Sequence, residues 1–224
     1  MQFRNTTQLD QDRLRELLER HTHPYQHNRL RVCIRYSRRA AFSGACYYAD
    51  ARIFVNLGRR NRYPFMFDTH TAKARTQRGS WSRARHRLVV PSEYELVLFV
   101  YLHELYHFLV KSAGRCVRRK EAMCDRFAAR VLIDEYGCPL LDVNGRSVPR
   151  EAWDFQDLSA FVSAAPRNAT LAAPGAPPAT EMLVRAAVPV AGAPAVPLPR
   201  VRPPRPPRAA RSVDPPGQLL LWRE

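Results

Sequence analysis

Between Gln8 and His21 the apolar residues Leu9, Leu14, Leu17 and Leu18 fall near helical spacing, which predicts an amphipathic first helix. Leu30, Val32, Ile34 and Tyr36 then alternate with mostly polar residues, the pattern of a strand with one buried face. Two further extended runs, Ala45 to Ala49 and Arg52 to Leu57, flank a turn at Asp50 and Ala51. Together these three segments predict an antiparallel sheet. Leu88-Val89-Val90 reads as a short strand leading into the strongest helix of the chain. That helix begins at a capping box, Ser92 with Glu95, just after Pro91, and runs to about Ala113 before Gly114 stops it. A second helix, from about Arg118 to Tyr136, ends at Gly137 and Pro139. Asn144-Gly145 marks a hairpin turn between Leu140–Val143 and Ser147-Val148. Pro149 to Ala164 is expected to form a last helix, with Trp153, Leu158, Phe161 and Val162 available to the core.

Beyond Pro166 the periodicity vanishes into Ala, Pro, Val and Arg, as in Pro203-Pro204-Arg205-Pro206-Pro207. Such a segment buries too little apolar surface to offset the entropy of ordering. The expectation is therefore one α+β domain over residues 1–165 and a disordered tail over 166–224. The first seven residues have no apolar stretch resembling a leader, and the longest apolar run, Leu96 to Leu102, is too short to cross a bilayer. A soluble, cytoplasmic protein without membrane partners is the expectation. The five cysteines are odd in number, widely spaced and without a CxxC pair, which argues for reduced, buried thiols.

Charge adds a candidate partner. The formal net charge is +16, which favours an anionic partner such as nucleic acid. Residues 69 to 87 read as a basic loop with a single Trp81, and Arg78, Arg83 and Arg85 are its candidate phosphate contacts. Because only Lys73, Lys111 and Lys120 are lysines, an arginine-rich coding bias explains part of the charge without any partner.

The chemistry lies in the capped helix, at His103-Glu104-Leu105-Tyr106-His107. Histidines at i and i+4 project from one face, so both imidazoles reach one Zn²⁺ at about 2.0–2.1 Å, with Glu104 beside them as general base. Leu96 to Leu102 and Leu105 make this helix apolar nearly all round. Two histidines and a glutamate inside so buried an element are costly without partners. A catalytic zinc wants a third protein ligand and an open position. His107 stands seven residues before Gly114 and Glu121 seven after it, so an antiparallel helix pair brings Glu121 to the histidines. Asp125, one turn further on, supports a histidine's second ring nitrogen. The converse assignment, Asp125 as ligand and Glu121 as support, stays open.

HExxH followed by Glu121-x-x-x-Asp125 resembles the gluzincin metallopeptidases. The run Glu121 to Ala129 is similar to the third-ligand helix of the ImmA/IrrE-like peptidases, and the extended hairpin ending Ile53 to Leu57 resembles SprT-like proteases. The resemblance covers residues 25 to 136. It implies a minimal zincin fold, a small antiparallel or mixed sheet packed on an active-site helix pair. It also implies a single zinc ion and hydrolysis of an intracellular, DNA-associated or regulatory protein. Tyr106 stands where the family usually has a small residue, and the zinc ribbon common after SprT-like domains is missing. A donor for the developing oxyanion is expected from Tyr101, Tyr106, or a tyrosine or histidine of another segment. A substrate peptide is expected to pair with the edge strand beside the cleft.

Two other function classes remain: a non-catalytic protein with a structural zinc, and a nucleic-acid-binding module on a zincin scaffold. Near the C-terminus, the apolar cluster of Gln218, Leu219, Leu221 and Trp222 either packs back on the domain or docks on a partner; it resembles the short peptides with which bacterial replication and repair proteins dock on the sliding clamp, a role that would make the tail a tether.

Overall fold

Alternation along Arg31–Ser37 becomes strand β2, with Val32 and Ile34 turned into the core. Ile53, Val55 and Leu57 are buried in the same way along β4, Arg52–Gly58. The computed structural model describes residues 1–25, 29–77, 79–118 and 120–163. Among them the fold is mixed α+β, with small sheets and four α-helices. None of those helices is long and apolar enough to cross a membrane. The tail, its boundary at 165, Arg78 and the residues Gln218, Leu219, Leu221 and Trp222 lie outside the described residues.

The first sheet has four strands in the order β1-β2-β4-β3, where β1 is Gln2–Asn5 and β3 is Phe42–Tyr47. It corrects the antiparallel expectation. Strand β2 runs parallel to both β1 and β4, and only β3 with β4 is antiparallel. After β2 the chain turns at Ser37, whose hydroxyl accepts the Ala40 N–H, and β3 takes the outer edge. The returning β4 then slots between β3 and β2. Alternation reports which face a residue occupies and not which way the neighbouring strand runs, so this insertion has no local signature. The opening residues, for which no element was expected, form β1. Helix α1, Gln11–Thr22, links β1 to β2; Asp10 caps it by accepting the Arg13 N–H, and Leu14 and Leu18 anchor it in the core.

Helix α2, Glu93–Ser112, is the central element, and every residue from Leu96 to Val110 is buried. Ser92 caps it, accepting the Tyr94 N–H and meeting the Glu95 carboxylate. Helix α3, Glu121–Tyr136, runs back along α2 and ends at Gly137, whose φ of 64° is the left-handed conformation that closes a helix.

A second, antiparallel sheet has the order β5-β8-β9, made of Phe65–Thr69, His86–Val90 and Leu140–Leu141. Between β5 and β8 the chain forms a separate two-stranded ribbon, β6 (Ala74–Gln77) with β7 (Ser80–Arg83), where a basic loop was expected. Thr76 faces Trp81 across it and Gly79 turns it at φ 83°. The turn expected at Asn144-Gly145 is present, with Gly145 at φ 78° and the Asp142 carboxylate accepting the Asn144 and Arg146 N–H groups. The single last helix is replaced by a 3-10 turn at Arg150–Ala152 and a short α4, Leu158–Ser163. Arg150 ties Asp134 and Asp154 together, and Asp157 restarts the helix by accepting the Ala160 N–H.

Candidate metal centre

The two helices bring the motif residues together in the register that their distances from Gly114 dictate. His103 meets Asp125 and His107 meets Glu121, the pairing of helices that run in opposite directions. Nε2 of His103 lies 3.3 Å from one Glu121 oxygen, and Nε2 of His107 lies 3.4 Å from the other. Donor atoms at 2.0–2.1 Å from a tetrahedral ion are about 3.3–3.4 Å apart. Here each imidazole meets a different oxygen of Glu121, so the carboxylate bridges the two histidines, and the contacts are also of hydrogen-bond length. Both histidines are buried, while Glu121 is partly exposed and gives the cluster its access to solvent.

A second set of donors overlaps the first. His103, His107 and Cys124 are all buried, and one ligand atom of each lies within 4.8 Å of the others, so this group could also hold a metal ion. Cys124 shares the inward face of α3 with Glu121 and Asp125. The cysteines were expected to be bystanders. All five are free thiols, but only Cys124 and Cys138 are buried, Cys116 is exposed, and Cys124 lies beside the two histidines.

Asp125 does not offer its oxygens to the cluster's interior. Its Oδ1 is 2.7 Å from Nδ1 of His103, and its Oδ2 accepts the backbone N–H of His70 at 2.6 Å. Nδ1 of His70 is a further 3.4 Å from Oδ2. With Nδ1 engaged in this way, Nε2 of His103 is presented to Glu121. Nδ1 of His107 is buried without a hydrogen-bond partner.

Burial alone would raise the carboxyls of Asp125 and Glu121, but the imidazole hydrogen bonds outweigh it and hold both well below the usual carboxylate range. Burial likewise opposes charge on His103, yet Asp125 and Glu121 raise its pKa in the metal-free state. Glu104 differs: burial lifts its carboxyl, and the two histidines only partly counter this. A carboxylate poised upward is suited to accept and release a proton.

Glu104 is held by an unexpected neighbour. A Cβ on Gly44 would stand 2.3 Å from Glu104 Oε1, 2.6 Å from its Cγ and 2.8 Å from its Cδ, so only glycine lets β3 approach. The Gly58 N–H donates to Ala41 at 2.7 Å, which fixes Phe42, Gly44 and Cys46 as the non-hydrogen-bonded positions opposite β4. Their N–H and C=O groups face the open side of the edge strand.

No family model, curated protein or solved structure matches the chain. What the site can do must be read from its own residues.

Tyr101 and Tyr106 have their hydroxyls committed elsewhere, to Thr22 at 2.5 Å and to the Leu158 carbonyl at 3.0 Å. Tyr106 packs on Phe127 with ring centroids 4.8 Å apart. His70 instead touches the centre through Asp125. Tyr48, half-buried, has its pKa raised by burial and then by Cys46 and Glu104, which places it in the same negative field. Of the basic residues singled out, Arg83 ends the ribbon, and Arg85 lies 3.9 Å from Asp68. Sequence reasoning missed Gly44, His70 and Cys124. Only Cys124 carried a signal, three residues after Glu121 on the same helical face.

Proposed function

We propose that the chain is a zinc-dependent metalloendopeptidase of the minimal zincin type, with one Zn²⁺ held by His103, His107 and Glu121. The main support is the convergence of two buried imidazoles from one helix and a carboxylate from the next, with the two Nε2 atoms 3.3 and 3.4 Å from the two Glu121 oxygens; two histidines and one carboxylate are a donor set that catalytic zinc takes. Glu121 is preferred to Asp125 as ligand because both Asp125 oxygens already have partners in His103 and His70. Zinc, when bound, supplies Lewis acidity that activates a water and polarises a carbonyl. Glu104 takes the proton from the attacking water and returns it to the leaving amine. Asp125 keeps His103 in one tautomer and orientation. The open N–H and C=O groups at Gly44 align an extended peptide beside Glu104 by adding a strand to the sheet edge. His70 and Tyr48 replace Tyr101 and Tyr106 as candidates to stabilise the developing oxyanion.

The test is Glu104→Gln, assayed on a fluorescently labelled unstructured protein alongside metal analysis. Hydrolysis should fall by about 10²–10⁴-fold with metal content unchanged. Undiminished hydrolysis removes Glu104 as the base. A wild-type protein that holds zinc and cleaves nothing supports the structural-zinc alternative.

A second reading concerns the partner. The ribbon's described side chains are solvent-exposed from Ala74 to Thr76 and from Ser80 to Ser82; Trp81 is 60% exposed. Arg75 lies on it, Arg83 ends it, and Lys73 at its base sits 5.4 Å from the Phe155 ring. An exposed aromatic among cations fits non-specific contact with nucleic acid, the bases stacking on Trp81. That contact would bring the peptidase to DNA-associated substrates.

A further inference from the structure

We infer that Cys124 is a fourth donor to the metal, beside His103, His107 and Glu121, and that it closes the centre. This rests on the metal-centre reading above and adds the state in which the centre is held.

The Cys124 side chain is fully buried and faces α2 from the same side of α3 as Glu121 and Asp125. One ligand atom of Cys124 lies within 4.8 Å of one from each histidine, while the histidine Nε2 atoms lie 3.3 and 3.4 Å from Glu121. The thiol thus lies beside the same two imidazoles that the Glu121 carboxylate meets, and all four side chains come from the packed pair α2 and α3. Thiolate is the softest of these donors and among the strongest available to zinc, and four protein donors make the closed site typical of structural zinc. Asp125 is engaged by His103 and His70, and Glu104 is turned toward Gly44, so neither competes for the fourth place. A cysteine has a single χ1 torsion with three staggered wells, so its sulfur can leave the centre without movement of the backbone. The four-donor form is then a resting state, and hydrolysis requires Cys124 to withdraw.

Cobalt(II) in place of zinc tests this on the full chain, because thiolate ligation gives a charge-transfer band in the near ultraviolet that nitrogen and oxygen donors do not. Wild type, Cys124→Ser, Cys124→Ala and Cys46→Ser would each be loaded with cobalt and assayed for metal content. The band is expected in wild type and in Cys46→Ser, and is expected to be lost in both Cys124 variants while cobalt remains bound. Cys124→Ser, nearly isosteric, guards against loss of fold in the alanine variant. Cobalt bound to wild type without the band overturns the thiolate ligand alone. Persistence of the band in Cys124→Ala, or its loss in Cys46→Ser, overturns it equally. A wild-type chain that takes up neither cobalt nor zinc overturns this inference and the metal-centre reading together.

Discussion

Replacing Gly44 with alanine drives a Cβ to 2.3 Å from Oε1 of Glu104 and within 2.8 Å of its Cδ. Cγ is hit as well, at 2.6 Å, so rotating the carboxylate alone does not relieve the overlap. Either the whole Glu104 side chain moves or β3 shifts from α2. Overpacking of this kind costs about 1–3 kcal/mol. For a domain of this size each kcal/mol lowers Tm by about 2–4 °C, giving a fall of about 2–12 °C. The decisive measurement is a double-mutant cycle by thermal unfolding in chelator, with Gly44→Ala, Glu104→Ala and both together. Because Glu104→Ala removes Cγ, Cδ and both oxygens, Gly44→Ala should cost almost nothing in that background. The coupling should then equal most of the single-variant cost. If Gly44→Ala costs the same with and without the Glu104 side chain, the close approach is not what requires glycine. Displacing the base should also lower kcat/KM in the metal-loaded Gly44→Ala enzyme by about 10²-fold or more.

Asp125→Ala should weaken metal affinity by about 10–100-fold, measured by competition with a chromophoric chelator, because His103 loses the partner that orients it; an unchanged affinity would reassign Asp125 to packing. In the metal-free protein His103 has a raised pKa, so its contribution to stability is complete below the unfolded value near 6.5 and is lost as pH rises through the folded value. Asp125 and Glu121 are held low, so their contribution is complete above the unfolded carboxylate values, about 4, and is lost as pH falls through the folded ones. Thermal unfolding of the metal-free chain should thus peak at about pH 5–6.5, whereas metal affinity should rise with pH as protons are displaced; metal-free stability climbing steadily to pH 9 contradicts the sign for His103, and stability that does not fall on acidification below about pH 4 contradicts the sign for the two carboxylates. Trp81→Ala with Arg75→Gln and Arg83→Gln should weaken binding to a fluorescent single-stranded oligonucleotide, and the two arginine changes should reduce the salt slope by about one each if both contact phosphates. Binding unaffected by all three excludes the ribbon.

The most local features were legible in the sequence. A capping box and two glycine stops bound the start of α2 and the ends of α2 and α3 to within a residue or so, since these ends are closed by side chains or φ angles of the residues beside them, whereas the start of α3 at Glu121 has no side-chain cap. Equal distances of His107 and Glu121 from Gly114 foretold their meeting, because a helix rises by a constant step per residue. The strand faces were legible for the same reason, through a two-residue period. Tertiary structure alone decided the rest. Strand direction, and the insertion of β4 between β2 and β3, depend on how strands dock rather than on what each one contains. His70 supports Asp125 across 55 residues, and Gly44 presses on Glu104 from another element, contacts with no periodic trace. For Cys124 the sequence shows only that it shares a helical face with Glu121. What distinguishes it is its distance from two imidazoles on a different helix, which depends on the packing of the α2–α3 pair.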